Sequence, residues 1–485
     1  MADTCCEHHH DHDRRIRRYL LHPAFALRGW KKLPYALQYL AIERTEFFLE
    51  EPFRLLEKCD GETDIDWEAL TEAQRKQIDH WERFGFIRQV FHGEKLRDYQ
   101  KYVFYPARFK ESVQWSITGK CNFRCKHCFM SAPHAVQGEP TWEELMTMLD
   151  AFERCGIRNL NLTGGEPMFR KDFWRLVDEI QRRGLGIPSL YSNGMLITDG
   201  FVAELKKRGM CPTIQFSFDG VGHYDWMRGV KGAEKAVVDA IKRCVAYGMP
   251  VNCSMVLFKE NVGTIRETVN FLASLGVLSL KIGNASPQGE WVNQKEHYLT
   301  QAEVYEAFLE YIPHYFEDGK PLSISLEGFF SYEKGNATLH AINEKDIDER
   351  HFKKATMCGH VRRSLYVSPQ GHILPCMSMV GGPIEEQFPN MLKTPLEEIL
   401  DNDSLYMKIV TFTIADFMEH NPECRECEYR TRCCGGCRAL AVRDHPTDYL
   451  AKDPITCEYY RGGWMKRKDD LLRSLGLLKE ESPRQ

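Results

Sequence analysis

Between residues 112 and 290 the chain alternates two hydrophobic periodicities, and this alternation limits the fold more than any other feature. Ser112–Thr118, Asn159–Thr163, Ser189–Ser192, Ile214–Phe218, Val251–Leu257 and Leu278–Gly283 are short runs that read as strands. Between them, Trp142–Arg154, Phe173–Arg183, Phe201–Arg208, Gly232–Tyr247 and Val262–Leu275 read as helices. Strands separated by helices run parallel, so the expected class is α/β, a sheet left open or curled into a partial (β/α)6, TIM-like barrel. In such folds chemistry gathers at the C-terminal ends of the strands.

The flanks differ. Residues 1–18 are polar, and Cys5, Cys6, His8, His9, His10 and His12 read as part of a solvated tail able to pick up metal weakly. Ala24–Leu40 suits one or two strands, and Glu46–Lys58 a short helix stopped by Cys59-Asp60-Gly61. Thr71–Phe84 reads as a second helix capped by Thr71, and Phe86–Val90 as a strand after Gly85. That order is winged-helix-like, within an α+β domain expected over 19–105. A barrel is expected over 106–320 and a cysteine-rich domain over 321–485. In the latter, Ser323–Leu326 looks hairpin-like, as does Leu365–Ser368 turning at Pro369-Gln370-Gly371 into His372–Leu374. Glu458–Lys479 reads as a terminal helix.

Lys plus Arg total 64 against 69 for Asp plus Glu, a formal charge of -5, so no basic excess points to nucleic acid. Mean hydropathy is -0.44, and no apolar run is long enough for a membrane span. The N-terminus lacks a signal-peptide layout, so a cytoplasmic location is expected. Eighteen cysteines in such a chain point to metal or redox chemistry rather than disulfides. Cys59, Cys155, Cys211, Cys244 and Cys253 read as small hydrophobes. The cysteines with chemistry fall into two sets.

The first set, Cys121-x3-Cys125-x2-Cys128, lies on a loop directly after the first strand of the alternating region. Three thiolates on a short loop can hold three irons of a [4Fe–4S] cluster and leave the fourth open. Zinc would want a fourth ligand, and only His127 is close. The motif and its place resemble the radical S-adenosylmethionine superfamily, with His127 where the family usually carries an aromatic residue. The resemblance implies that the open iron chelates the amino and carboxylate groups of S-adenosylmethionine. One-electron reduction, by a protein such as flavodoxin or ferredoxin, then yields methionine and a 5′-deoxyadenosyl radical. It implies that Gly164-Gly165-Glu166-Pro167 receives the methionine amino group and that Ser192-Asn193-Gly194 lies near the ribose and carboxylate. It further implies that Arg228, shortly after Ser217-Phe218-Asp219-Gly220, pairs the cofactor carboxylate. Lys281 and Asn284 are further candidates to face the site.

The second set reads Cys358, Cys376, then Cys424-x2-Cys427-x5-Cys433-x3-Cys437, then Cys457. Seven cysteines are too many for one zinc, two zinc knuckles being the alternative. The gaps resemble those of the SPASM domain, the auxiliary iron–sulfur extension of peptide-modifying radical enzymes. Its wiring implies one cluster on Cys424, Cys427, Cys433 and Cys457 and another on Cys358, Cys376 and Cys437. No cysteine shortly precedes Cys358, so the inner cluster has an iron open to a substrate thiolate or amide, or filled by water or His360. Cys434 is a spare expected to point away from Cys433.

The segment 19–105 resembles the peptide-recognition domains of ribosomal-peptide maturation systems, through LLEKCDG at Leu55–Gly61, a later helix and a glycine–strand ending. This implies that the leader of a precursor peptide binds as an added strand; a structural cap is the alternative. Together the resemblances imply a peptide maturase with three [4Fe–4S] clusters that forms a thioether or a carbon–carbon or carbon–oxygen crosslink. Three other functions stay open. Formylglycine formation is disfavoured because Met377 stands where that family has Asp. Epimerisation would need Cys211, Cys244 or Cys253 as hydrogen donor. The third is a non-catalytic iron–sulfur or zinc protein that binds peptide.

Overall fold

The computed structural model describes residues 15–478 apart from 92, 335–337, 341–345 and 383. Cys5, Cys6, His8, His9, His10 and His12 therefore lie outside the described residues. The chain divides into two compact units, Met1–Glu111 with Arg154–Gly156, and Ser112–Glu153 with Ile157–Gln485.

The first unit runs β1 (Ile16–Leu21), β2 (Phe25–Lys31), β3 (Leu33–Tyr39), β4 (Thr45–Phe47), α1 (Glu50–Glu57), β5 (Ile65–Asp66), α2 (Glu72–Arg83), β6 (Ile87–Val90) and β7 (Val103–Arg108). Its sheets have the orders β5-β1-β6 and β4-β3-β2-β7. Two expectations are corrected. The extended chain starts at Ile16, inside the range read as tail, because Tyr19, Leu20 and Leu21 are buried. The charges that made it look solvated sit at its edge, Arg17 stacking over Trp67 and Arg18 pairing with Asp64. Helix α1 starts at Glu50 rather than Glu46, since residues 45–47 pair with β3 instead. Thr71 caps α2 as expected, in a reciprocal box with Gln74.

The second unit opens with β8 (Ser112–Ser116), α3 (Trp142–Arg154), β9 (Asn159–Thr163), α4 (Phe173–Arg182), β10 (Ser189–Ser192), α5 (Asp199–Lys207) and β11 (Thr213–Ser217). It continues through α6 (Tyr224–Arg228), α7 (Ala233–Ala246), β12 (Val251–Leu257), α8 (Ile265–Ser274), β13 (Ser279–Asn284), α9 (Gln301–Glu317) and β14 (Ser323–Leu326). Then follow β15 (Phe330–Glu333), β16 (Thr338–His340), α10 (His360–Arg363), β17 (Ser364–Val367) and β18 (Ile373–Leu374). The remainder is helical: α11 (Leu396–Ile399), α12 (Leu405–Thr411), α13 (Ile414–His420), α14 (Pro422–Arg425), α15 (Arg430–Cys433), α16 (Arg438–Asp444), α17 (Pro454–Arg461) and α18 (Trp464–Ser474).

These strands form one open sheet, β16-β15-β14-β13-β12-β11-β10-β9-β8-β17-β18, parallel from β14 to β17. The six expected strands and five expected helices are its centre. Two segments read as hairpin pieces do more than expected: β14 and β17 cover the outer edges of β13 and β8, which would otherwise expose unpaired backbone groups. Helix α9 was not anticipated. The terminal helix is two helices, α17 and α18, broken at Gly462-Gly463, where Gly463 takes φ +80°.

Along β9 to β13 burial alternates. Leu160, Leu162, Leu190, Ile214, Phe216, Val251, Cys253, Leu280 and Ile282 are buried on one face. Each buried Leu, Ile or Phe contributes roughly 1.5–3 kcal/mol. The other face carries rows of polar residues in register, Tyr191–Gln215–Asn252–Ser279 and Ser217–Ser254–Lys281–Ser325. A sheet buried on both faces would read as continuously apolar. This one has a polar face able to receive a polar guest.

Candidate functional site

Cys121, Cys125 and Cys128 lie on the loop that leaves β8, anchored by backbone bonds from Arg124 to Arg228 (3.1 Å) and from Lys126 to Met227 (2.8 Å). The amides of Phe123 and Ala132 donate to Cys121 Sγ (3.4 Å) and Cys128 Sγ (3.3 Å). Burial pushes the thiol of Cys121 up to about 12 and that of Cys128 up to about 11. Such thiols ionise on gaining metal, whose binding releases their protons.

The segment after β9 is zipped onto the same loop. Gly165 N–H donates to Thr118 O (2.8 Å) and Glu166 N–H to Lys120 O (2.9 Å). A Cβ on Gly165 would sit 2.2 Å from Lys120 O, and Gly164, at φ +141°, would meet Thr118 O at 2.3 Å. Only glycine lets the strands' tips approach so closely. Glu166 is fully buried, and Oε2 accepts from Asn193 N–H (2.8 Å) and Ser192 Oγ (3.4 Å). Oε1 is buried without a hydrogen-bond partner. Burial pushes its acid up to about 7 against those donors.

Ser192 ends β10 and Asn193 follows it. Asn193 Nδ2 donates to Asn122 Oδ1 (2.7 Å) and lies 3.8 Å from Cys121 Sγ. Asp219 and Arg228 are buried and paired at 2.7 Å, with Arg228 Nη1 3.6 Å from Cys125 Sγ. The guanidinium expected to meet a cofactor carboxylate is thus engaged with Asp219 and the thiol loop. The ring of His127 is held neutral, its acid driven well below the ordinary value by burial and by Arg228. Its Nδ1 is buried with no hydrogen-bond partner. The orphaned Glu166 and His127 atoms and the glycine cradle fit a polar cofactor seated beside three thiols.

The C-terminal cysteines gather around two cavities of about 60 Å3 each. Cys424, Cys427, Cys433 and Cys457 line one, with Tyr460 and Lys452. Cys358, Cys376 and Cys437 line the other, with His360. Burial pushes Cys433 up to about 12 and Cys424 up to about 11. Cys434 lines neither; it is buried against Met357, Ile414 and Phe417 and donates to Thr431 O.

A cavity of about 420 Å3 lies between the strand ends and the cysteine-rich part. Its wall includes Phe129, next to Cys128, and Cys437, shared with the three-thiol cavity. Asn284, Ser286, Glu327 and Arg443 supply polar groups, Arg443 donating to Ser286 (3.1 Å). Lys281 lies 2.8 Å from Glu327. Met377 is on the wall, whereas the candidate hydrogen donors are not: Cys244 and Cys253 are buried in the core and Cys211 is on the surface. Sequence reasoning named Asn284 and Lys281 but missed Phe129, Glu327 and Arg443, which carry no local motif. Among the described residues no helix is long and apolar enough to cross a membrane.

Residues 115–272 match the family model of the radical SAM superfamily, and residues 358–428 that of SPASM, an iron–sulfur cluster-binding domain. The AdoMet-dependent heme synthase of Methanosarcina barkeri is 28% identical over 361 residues, 72% of this chain and 97% of its own. The PqqA peptide cyclase of Gluconobacter oxydans is 27% identical over 338 residues, 68% of this chain and 86% of its own. Streptococcus suis SuiB, solved with its precursor peptide SuiA, matches in fold with a TM-score of 0.64 at 17% identity, covering 91% of this chain and all of that one. With a three-thiol loop leaving the first strand of an open parallel sheet and a cysteine-rich domain beyond it, the chain is an enzyme that carries a radical SAM superfamily domain over residues 115–272 and a SPASM iron–sulfur domain over residues 358–428.

Proposed function

We propose that this enzyme modifies a ribosomally made precursor peptide, forming a thioether or a carbon–carbon or carbon–oxygen crosslink. The carrying observation is the 420 Å3 cavity, whose lining includes both Phe129 of the thiol loop and Cys437. A side chain held there lies near both the radical source and an auxiliary cluster. When bound, the reduced cluster and S-adenosylmethionine supply a 5′-deoxyadenosyl radical that removes a substrate hydrogen.

In this reading Cys121, Cys125 and Cys128 hold the radical cluster. Gly164, Gly165, Glu166, Ser192 and Asn193 seat the cofactor, with His127 beside it. Asp219 and Arg228 brace the loop. Cys424, Cys427, Cys433 and Cys457 hold one auxiliary cluster and Cys358, Cys376 and Cys437 the other, making three [4Fe–4S] clusters. Glu327 is the carboxylate placed to take a proton from the peptide. The first unit binds the leader by adding it to a sheet edge, and a flavodoxin or ferredoxin supplies electrons.

Two comparisons support a peptide substrate. The PqqA peptide cyclase of Gluconobacter oxydans, a relative named for its action on a peptide, is 27% identical over 338 residues. SuiB, whose structure contains a precursor peptide, shares its fold over 91% of this chain. Formylglycine formation loses support because Met377 offers no proton acceptor, and epimerisation because Cys211, Cys244 and Cys253 lie off the cavity wall. The test is mass spectrometry of peptides encoded beside the gene after anaerobic reaction. Loss of two hydrogens from one of them supports the crosslink. Conversion of a porphyrin with no peptide changed would replace the reading with the heme-synthase one.

A further inference from the structure

The inner thiol set is one donor short of four, and its cavity contains a candidate. Apart from Cys358, Cys376 and Cys437, the wall is apolar except for Thr356, His360 and Arg438. Arg438 is spent on the carbonyls of Gly435, Tyr449 and Ala451, and a guanidinium has no lone pair to offer iron. A threonine hydroxyl is a hard donor, poorly matched to iron in a sulfide cluster. Met357 packs among Phe352, Phe412 and Phe417. An imidazole suits iron and replaces thiolate in known iron–sulfur centres. His360 stands two residues after Cys358, at the start of α10, so one short stretch of backbone brings both side chains to the same cavity.

We propose that His360 is the fourth protein ligand of the inner auxiliary cluster, making a three-cysteine, one-histidine set with no iron left open to substrate. This rests on the two-cluster reading of the cysteine-rich domain. Exchanging an anionic thiolate for a neutral imidazole removes negative charge from the cluster and raises its reduction potential. The inner cluster would then be the better electron acceptor of the two, and it is the one whose ligand Cys437 also faces the 420 Å3 cavity.

The test uses the full chain, with Cys121, Cys125 and Cys128 changed to Ala to remove the radical cluster's signals, reconstituted anaerobically and labelled with 15N-histidine. Pulsed electron paramagnetic resonance of the reduced protein is expected to show one histidine nitrogen coupled to a cluster. That coupling is lost in His360→Ala and in His360→Cys. His360→Cys keeps both clusters and lowers the inner cluster's potential, whereas in His360→Ala added cyanide perturbs the inner cluster or that cluster is lost. Absence of histidine coupling with both clusters loaded overturns the assignment, as does coupling that survives His360→Ala or a cyanide response before substitution. Iron near four rather than about eight per chain overturns the two-cluster reading itself, and the ligand with it.

Discussion

Arg228 and Asp219 form a buried ion pair, 2.7 Å between Nη2 and Oδ2, and Nη1 of the same guanidinium reaches Cys125 Sγ at 3.6 Å. One side chain therefore ties the end of β11 to the thiol loop. Burial pushes the Asp219 acid up and Arg228 holds it down, so the carboxylate depends on its partner. Arg228→Ala should destabilise the cluster-free chain by about 3–5 kcal/mol, because a charge is left buried and unpaired. Arg228→Lys should recover part of this, a point charge replacing a fork. Urea unfolding reads both, and a loss below about 1 kcal/mol for Arg228→Ala would show that the pair is not structural.

Glu166 gives the cluster-free chain a pH dependence of definite sign. Its folded acid stands at about 7 against an ordinary 4.5, so the folded state holds the proton more tightly. Its contribution to stability is full below the lower value and is lost as pH rises through the window to the upper one. The loss approaches about 3 kcal/mol at most. Glu166→Gln should abolish it, leaving the variant more stable than the parent at pH 8 and equal to it at pH 4. Parallel stability–pH curves for the two proteins would refute this.

Gly165→Ala should disturb the cradle through backbone rather than side chain. The added Cβ would lie 2.2 Å from Lys120 O, and neither backbone segment can swing away without breaking the bonds that zip them together. We expect a stability loss of about 1–3 kcal/mol and weaker S-adenosylmethionine binding, with iron content unchanged. Equilibrium dialysis of the loaded enzyme against the cofactor checks the second point, and unchanged affinity would remove Gly165 from the cofactor site.

The alternating centre of the fold was readable because each element carries its own period. Leu145, Met148, Leu149 and Phe152 mark the buried side of α3, and Leu160 and Leu162 mark β9. The pairing of β14 with β13 and of β17 with β8 was not, since register between strands distant in sequence leaves no local trace. Helix α9 did leave one: Thr300 and Glu303 form a capping box. Its aromatic buried face and internal Pro313 hid the helical period. The cysteine motifs and Gly164–Glu166 were visible as spacing. The cavity wall was not, because Phe129, Glu327 and Arg443 meet only once the sheet and the cysteine-rich domain are folded together.

The two C-terminal thiol cavities predict two independent losses of iron. Cys424→Ala and Cys427→Ala line the same cavity, so each alone and both together should remove one cluster, about four irons. Cys376→Ala with Cys424→Ala should remove two, because the sites share no ligand. Cys434→Ala should keep all the iron and cost only packing, as that side chain lies in the apolar cluster with Phe417. Iron analysis separates these outcomes. Loss of both clusters in Cys424→Ala alone would show that the two sites fold as one.

Glu327 tests the cavity as the place of reaction. Joining a sulfur or oxygen to a substrate carbon releases a proton as well as an electron, and the wall must offer the proton an acceptor. Met377 cannot; Glu327 can, and its carboxylate is held in place by Lys281 2.8 Å away. Gly283 makes room for this arrangement, since a Cβ there would meet the Glu327 carboxylate at 2.1 Å. With a modified peptide in hand, Glu327→Gln should keep the first half of the reaction, measured as 5′-deoxyadenosine. Product formation should fall by roughly 10²-fold or more, the usual worth of a positioned proton acceptor. Glu327→Asp should recover part of the product, because a carboxylate is again present. Equal falls in 5′-deoxyadenosine and product would instead assign Glu327 to peptide binding, and unchanged product would place the reaction elsewhere.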